Sequence, residues 1–281
     1  MAEIKTFKKF QDFLTENQRK ILTDYFPYYD FLQALKRINN EGLGLFDSFN
    51  VVGKNGESIF CVWTENTYYI YGEKWDDDVI AKALERIEPQ KFKNYTFLGQ
   101  RHLINNIFKT ANIEFERRRN RIVYNCRKIR SNADENDGVV LNASRKYVDQ
   151  LVRNGILYYR EEFEGKGSKS DDEVAQDIIS SIEKGSMYCL LTSDTIQSIV
   201  TVINYEYNRP MIGSLFTRPE SRNKGYAYKL LYEVTRGLLE NDFSECGLLS
   251  NADNPASNKI FKKIGYEPIY DLVIAFKKER E

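Results

Sequence analysis

The chain has 281 residues, and its 41 Lys and Arg residues balance 41 Asp and Glu residues, so the formal net charge is zero. This balance excludes a global field that would draw the whole protein to nucleic acid or to an anionic membrane, and any anion site has to be local. The start MAEIKTFKKF lacks the apolar core of a signal peptide, and no apolar stretch is long enough to span a bilayer. We therefore expect a cytoplasmic protein without a membrane association, as a monomer or homodimer.

The cysteine and histidine content limits the possible chemistry. Four cysteines lie far apart without a Cys-x-x-Cys pair, and His102 is the single histidine. This pattern offers no ligand set for a zinc site, so no metal is expected. A nucleophile elbow of the G-x-S-x-G type is absent from the sequence as well.

The length favours two domains, because single cores usually stop growing before this size. The polar, turn-forming stretch RSNADENDG lies between Ile129 and Val139 and separates two segments with strand and helix patterns. The sequence therefore predicts an N-terminal α/β domain over 1–130 and a second domain over 139–281.

The second half predicts elements in the order ααβββαβαβ. Helices are expected at 143–157, 171–184, 226–240 and 255–264, and strands in MYCLLTS, TIQSIVTVINYEY, MIGSLFT, CGLLS and EPIYDLVIAFK. The fold class is therefore α/β with a mixed sheet.

The first half repeats the order βββαβαβ after its opening helices. A shift of 153 residues pairs five identical residues without a gap: Asn105 with Asn258, Ile107 with Ile260, Phe108 with Phe261, Lys109 with Lys262, and Glu114 with Glu267. The shared order and these identities suggest a degenerate internal duplication.

A strand runs into a glycine-containing turn and then into a helix in GSLFTRPESRNKGYAYKLLYEV. The first turn of a helix leaves backbone N–H groups unpaired, so it can bind a phosphate. Gly225 allows a close backbone approach, Ala227 keeps the next position small, and Arg222 and Lys224 add positive charge. This turn is the candidate anion site, although such a pattern alone also occurs in ordinary strand–turn–helix joints.

A second element, NPASNKIFKKIGYEP, follows some 30 residues after RNKGYA. Together the two stretches resemble the signature elements of the GNAT acyltransferase superfamily, and the resemblance covers 139 to the C-terminus. It implies a GNAT fold, acetyl-coenzyme A as the acyl donor, and transfer of the acetyl group to an amine of a small molecule or peptide.

The resemblance also implies roles for individual residues. Leu215, Phe216 and Thr217 would line the pantetheine arm; Arg222, Asn223, Lys224, Gly225, Tyr226 and Ala227 would hold the pyrophosphate; Asn254, Ser257 and Phe261 would lie near the thiol end.

The catalytic residues are left open. Many members of the family carry a Tyr proton donor where this chain has Phe261, and phenylalanine cannot donate a proton. Tyr226, Tyr228, Tyr266 or a water are possible substitutes. The carboxylates of Glu161, Glu162, Glu164 and Glu206 are candidates for attracting the amine and removing its proton, although the first three also fit a solvated loop edge.

The first half has three acidic residues, Asp76, Asp77 and Asp78, where a matching phosphate turn would lie. Carboxylates at a helix start would repel a pyrophosphate, so we expect that this half has lost cofactor binding. The basic run ERRRNR at 116–121 is expected to form an exposed strand face, and nucleic-acid binding is the alternative for this run. A second alternative for the whole chain is a catalytically impaired coenzyme A-binding or regulatory protein.

Overall fold

A computed structural model of the chain describes residues 1–41, 44–64, 67–87, 95–132, 136–204, 206–241 and 243–277. The chain forms two compact units. The first contains Met1–Val123, Asn251–Asp253 and the end of the chain from Pro268; the second contains Tyr124–Ser250 and Asn254–Glu267. In the described ranges, no helix is long and apolar enough to cross a membrane.

The strands are β1 (Glu3–Thr6), β2 (Leu45–Val52), β3 (Ser58–Thr64), β4 (Thr67–Lys74), β5 (Thr96–Gln100), β6 (Phe115–Cys126), β7 (Val139–Asn142), β8 (Met187–Thr192), β9 (Thr195–Asn204), β10 (Met211–Thr217), β11 (Cys246–Asn251) and β12 (Glu267–Lys277). The helices are α1 (Phe10–Thr23), α2 (Tyr29–Glu41), α3 (Asp77–Ile87), α4 (Arg101–Thr110), α5 (Val148–Glu162), α6 (Asp171–Glu183), α7 (Tyr226–Glu240) and α8 (Pro255–Ile264). Short 3₁₀ turns cover 145–147, 206–208 and 219–221.

The sheet of the first unit has the strand order β1-β2-β3-β4-β5-β12. Neighbouring strands are antiparallel except β4 and β5, which are parallel. Helix α4 buries Leu103, Ile104, Ile107 and Phe108 on one face, because apolar residues recur at helical spacing. They pack with α3 and the strands in one apolar core.

The last strand of the chain belongs to the first unit. β12 pairs antiparallel with β5, with Val273 opposite Gly99 and Ala275 opposite Phe97. Val273 and Ala275 are fully buried in the core of that unit. On the other side of β5, a Cβ atom at Gly99 would lie 1.7 Å from the carbonyl oxygen of Ile70, so this close approach requires glycine.

The sheet of the second unit has the order β11-β10-β9-β8-β7, and β6 is the other neighbour of β11. The last β6 residues, Tyr124–Cys126, belong to this unit. Its core joins α5 and α6 to the strands through residues such as Leu151, Ile178 and Ile199. Helix α6 begins with a capping box, in which Ser170 and Glu173 each bond the other's backbone N–H.

The predicted fold class, a mixed α/β sheet, is confirmed, and the helix–strand order recurs in both units. Two short edge strands, β1 and β7, were not predicted. The first helix of the second half lies over Val148–Glu162 instead of 143–157, because its C-terminal YYREE contains good helix formers and no breaker before Gly165. Glu161 and Glu162 are therefore in the last turn of a helix rather than in a loop.

The predicted boundary at 130–139 falls within the second unit. Tyr228 donates its hydroxyl to the carbonyl of Asn132 (2.7 Å), and Lys229 Nζ donates to the carbonyl of Asn136 (2.8 Å). Residues 133–135 lie outside the described residues. The division into two domains over 1–130 and 139–281 stays a prediction.

Candidate functional site

Strands β10 and β11 begin side by side and then separate. They pair in parallel at Met211 with Gly247 and at Ile212 with Leu248, and no later pair joins them in the described part of the chain. On the β9 side the register shifts between Gly213 and Phe216, and Ser214 has a left-handed φ of 54°. The bulge and the separation leave the backbone of 213–217 without a partner strand on the β11 side.

The side chains at the end of β10 alternate between buried and half-buried positions. Phe216 is buried, and its ring lies 6.4 Å from the ring of Tyr158. Ser198 Oγ donates to the Phe216 carbonyl at 2.7 Å and shares a 2.9 Å hydrogen bond with Thr217 Oγ1. Leu215 and Thr217 are half-buried. Of these three predicted pantetheine residues, Phe216 can therefore offer only its backbone.

The turn before α7 presents a row of free donors. Asn223 and Gly225 have left-handed φ values of 64° and 78°, and Gly225 caps the helix that begins at Tyr226. Among the described residues, no amide N–H from 223 through 228 donates to another part of the chain. Alternating φ signs at a helix start create a concavity of N–H groups that fits an anion. The arrangement can bind a phosphate or diphosphate.

The two cations of the turn have different surroundings. Arg222 donates Nε to the Thr217 carbonyl (3.1 Å) and Nη2 to Glu161 (2.6 Å), and its guanidinium lies 5.7 Å from the centre of the Phe216 ring. Lys224 is exposed and forms no ion pair within the described ranges. Lys224 is therefore the cation that is free to meet an anion, whereas Arg222 is held within the protein.

The first residues of α7 are anchored by their side chains. Tyr226 is 9% exposed and donates its hydroxyl to Asp137 Oδ1 at 3.1 Å. Burial, followed by the bond to Asp137, raises the pKa of Tyr226. The Tyr228 hydroxyl shares a 2.6 Å hydrogen bond with Ser131. Ala227 is half-buried. These contacts fix the helix start, so the N–H row is preorganised.

Helix α8 follows β11, the other arm of the separated pair. Asn254 caps it by accepting a hydrogen bond from the Ser257 N–H at 3.1 Å. Phe261 is buried, with its ring 5.8 Å from that of Tyr124, whose hydroxyl donates to Asn258 at 3.2 Å. Phe261 is thus a packing residue.

The separated strands and the turn lie in a region that is similar to known proteins. Residues 187–273, which include the separated strands and the turn, match the FR47-like protein family, which is GNAT-related. A GNAT-family acetyltransferase from Colwellia psychrerythraea is 13% identical, with a TM-score of 0.61 over 99% of this chain and 100% of that one. A GCN5-related N-acetyltransferase from Sphaerobacter thermophilus is 14% identical, with a TM-score of 0.59 over 88% of this chain and 86% of that one.

The chain has the GNAT fold. The predicted resemblance of the C-terminal half to the GNAT superfamily is confirmed, and the structural similarity extends over both halves. A search of curated proteins found no match to the sequence.

Tyr266, a candidate proton donor, lies in the interior of the second unit of this GNAT fold. It is 2% exposed, its hydroxyl shares a 2.8 Å hydrogen bond with Thr235 Oγ1, and Cys246 Sγ lies 3.4 Å away. Burial holds the pKa of Tyr266 well above its usual value and raises that of Cys246 to about 12. We drop Tyr266 as a proton donor, because its hydroxyl would have to leave buried partners to reach the cleft.

The candidate carboxylates differ in position. Glu161 is paired with Arg222, and Glu162 is half-buried in the same last turn of α5. Glu164 is exposed just after that helix, with a left-handed φ of 51°. Glu206 is exposed in the 3₁₀ turn between β9 and β10, at the end of β10 away from the phosphate turn. The fold therefore places Glu161 beside the turn and Glu206 at the opposite end of β10.

In the first unit, the start of α3 corresponds in element order to the phosphate turn, and one of its backbone N–H groups already bonds to a side chain of the protein. Asp76 caps α3 by accepting from the Val79 N–H (2.9 Å), and Asp78 accepts from the Ala2 N–H (2.8 Å). Tyr270 donates its hydroxyl to the Gly72 carbonyl at 3.2 Å, beyond the point where β4 stops pairing with β5. The expected loss of cofactor binding in this half stays a prediction.

In the basic run, Arg119 and Arg121 are half-buried, and the side chain of Arg117 lies outside the described residues. The expected exposed arginine face is therefore not seen at the two described positions. Among the described residues, no group of three or more His, Cys, Asp or Glu side chains could hold a metal ion.

Local sequence signals predicted the turn, but they did not predict the contacts that hold it in place, which come from residues far away in the sequence. The Arg222–Glu161 pair joins residues 61 positions apart, and Tyr226 is bonded to Asp137 across 89 positions. No local pattern indicates either contact.

Proposed function

We propose that the protein is an acetyl-CoA-dependent N-acetyltransferase that transfers an acetyl group to the amine of a small molecule or peptide. The observation that supports this most directly is the row of unused N–H groups from 223 through 228 at the end of a separated strand. The names of the structural neighbours, both acetyltransferases, agree with it.

The second unit supplies donors for each part of the cofactor. The N–H row and the start of α7 bind the diphosphate, because several donors and the positive end of the helix act together. Lys224 adds a formal positive charge at this place. The backbone at 213–217 has no partner strand on the β11 side, so its remaining N–H and C=O groups can bond the amide groups of pantetheine as an added strand would. Asn254 and Ser257 begin the helix on the other arm of the cleft.

Transfer proceeds by direct attack. The neutral amine forms a bond to the thioester carbonyl carbon, the C–S bond breaks, and the amine loses one proton while the thiolate gains one. Phe261 cannot supply that proton, and Tyr266 is sequestered in the core. The hydroxyls of Tyr226 and Tyr228 donate to Asp137 and to the Asn132 carbonyl, so water is the proposed proton donor. Glu161, Glu162 and Glu206 remain the proposed groups for attracting the amine.

A catalytically impaired protein that binds coenzyme A and has a regulatory role is the second candidate. It is favoured by Phe261 and by the burial of Tyr266, since both leave the cofactor site without an assigned acid. A cytoplasmic location and a monomeric or homodimeric state remain predictions in either case.

The two candidates differ in turnover. Purified protein is incubated with acetyl-CoA and a library of amines, free thiol is followed, and affinity for coenzyme A is measured by calorimetry. Amine-dependent thiol release supports the enzyme. Binding without turnover on any amine favours the regulatory protein, and absence of coenzyme A binding refutes both.

A further inference from the structure

Two neighbouring residues of β9, Gln197 and Ser198, hold the end of β10 and the segment that leads to the phosphate turn. Ser198 Oγ donates to the Phe216 carbonyl at 2.7 Å and shares a 2.9 Å hydrogen bond with Thr217 Oγ1. Both partners lie after the bulge, where β10 has only the register pairs Phe216–Ile199 and Thr217–Ser198 with β9. In the described part of the chain, no register pair joins this end of β10 to β11. The Ser198 hydroxyl therefore reinforces a short, one-sided ladder.

Gln197 bonds the residues that follow the strand. Its backbone carbonyl accepts from the Arg218 N–H at 3.0 Å, and its side-chain Oε1 accepts from Ser221 Oγ. The side-chain Nε2 donates to Thr192 Oγ1 at 2.7 Å, so the amide is held by both of its polar atoms. Ser221 ends the 3₁₀ turn at 219–221, which leads directly into the phosphate turn. Gln197 thus fixes the path by which the chain enters that turn.

The burial of these groups restricts the segment further. Ser198 has no exposed surface, and Ser221 is 3% exposed. A buried hydroxyl without a partner is costly, so other positions of the segment 216–221 are disfavoured. Neither side chain is available to a ligand, because Ser198 is covered and both polar atoms of the Gln197 amide are bonded. Any effect of these two residues on a ligand has to act through 216–221.

We propose that Gln197 and Ser198 are positioning residues, which hold the backbone edge at 213–217 and the N–H row at 223–228 at the separation that coenzyme A spans. This inference rests on the proposed function. A ligand that binds two subsites at once gains affinity only where their spacing matches its length, because the second contact is then intramolecular. The same fixed spacing keeps the thioester in place for attack by the amine.

Two ligands separate positioning from a general structural role. Coenzyme A spans both subsites, whereas 3′-phospho-ADP, the part of coenzyme A that ends at the diphosphate, reaches only the N–H row. The affinity of the full chain for each ligand is measured by calorimetry. A loosened spacing should weaken the longer ligand selectively, whereas a general loss of structure should weaken both alike.

Ser198→Ala removes the buried hydroxyl, and Gln197→Met keeps the length of the side chain but removes both side-chain hydrogen bonds. We expect each variant to bind coenzyme A about tenfold more weakly than the parent, and 3′-phospho-ADP within about twofold of it. Gln197 is half-buried, so Q197M should fold and carry the test if S198A does not.

Thr235→Val is the matched control. Thr235 has no exposed surface and its hydroxyl shares a 2.8 Å hydrogen bond with Tyr266, so this variant also loses a buried hydrogen bond of the second unit. The residue lies in the second half of α7, away from the start of that helix. We expect T235V to bind both ligands like the parent, although its unfolding midpoint falls.

The proposal is overturned if either folded variant binds coenzyme A like the parent, or if its affinity for 3′-phospho-ADP falls as much as that for coenzyme A. A tenfold loss of coenzyme A affinity in T235V also overturns it, because destabilisation alone would then explain the effect. If the parent binds coenzyme A and the variants bind it equally well, only this inference fails. If the parent does not bind coenzyme A, the proposed function fails with it.

Discussion

Arg222 Nη2 donates to Glu161 Oε2 across 2.6 Å and so joins the phosphate turn to the end of α5. The same guanidinium holds the Thr217 carbonyl through Nε. Arg222 therefore bridges the last residue of β10 and a helix that, in the proposed enzyme, borders the amine. If the turn binds a diphosphate as we propose, that anion and the Glu161 carboxylate would compete for the Arg222 guanidinium.

Replacing Glu161 with Gln tests this competition. The neutral amide releases the guanidinium from its charged partner, so we expect coenzyme A affinity to rise about two- to fivefold, in the range of an exposed ion pair. The gain should diminish at high salt, because the pair is partly solvated. Calorimetric titration at two salt concentrations measures it.

Glu164→Gln is the matched control for that change. It removes the same charge from an exposed residue three positions away, and its affinity should stay at the parent level. A fall in affinity for E161Q would show that the carboxylate positions Arg222 for the cofactor, and competition would be excluded.

Gly225→Glu should abolish coenzyme A binding. The position has a left-handed φ of 78°, which an L side chain adopts at a cost of about 1 to 2 kcal/mol. The added carboxylate would also lie among the N–H groups that we assign to the diphosphate, and like charges repel. Calorimetry measures the loss, and circular dichroism checks that the fold persists.

Gly237→Glu places the same side chain on the same helix, where an added Cβ meets no atom within 4 Å. This control should bind coenzyme A like the parent. If G225E retained the parent affinity, residues 223–228 would not be the phosphate site and the acyltransferase proposal would lose its main support.

Tyr266→Phe should reduce stability and leave catalysis intact. The change removes a buried hydroxyl from Thr235 and Cys246, and leaving one buried partner unsatisfied costs about 1 to 3 kcal/mol. Chemical denaturation measures this loss, and turnover is compared per mole of folded protein. A drop in turnover without a loss of stability would restore Tyr266 as an acid.

Sequence reasoning was most successful where the signals are local. The turn, the helix that follows Gly225, and the helix from Pro255 to Ile264 were all predicted from turn residues, capping residues and apolar spacing. The strands of both halves follow from β-branched and aromatic runs. The start of α5 was misplaced because residues 145–147, which the sequence pattern assigned to the helix, form a 3₁₀ turn before it.

The sequence did not predict which residues far apart in the chain contact each other. The pattern EPIYDLVIAFK predicts a strand, and β12 spans Glu267–Lys277 as expected. The alternation of apolar and polar residues does not indicate which sheet a strand joins. The ion pair between Arg222 and Glu161 likewise joins residues 61 positions apart in sequence. Neither fact is contained in local spacing.

The placement of β12 gives the last prediction. Val273 is fully buried in the core of the first unit, opposite Gly99, although it is separated from that half by the whole second unit in sequence. Val273→Ala should therefore lower the stability of the first unit by about 2 kcal/mol through the lost burial and the cavity left behind. Both tryptophans, Trp63 and Trp75, lie in that unit, so their fluorescence reports its unfolding selectively.

Val139→Ala, at a residue on β7 that is 57% exposed, serves as the control and should shift the tryptophan transition little. An unshifted transition in V273A would mean that β12 does not complete the first unit in solution. A shifted one, together with normal coenzyme A affinity, would show that the end of the chain stabilises its beginning while the phosphate turn of the second unit remains intact, because the lost contacts belong to the first core alone.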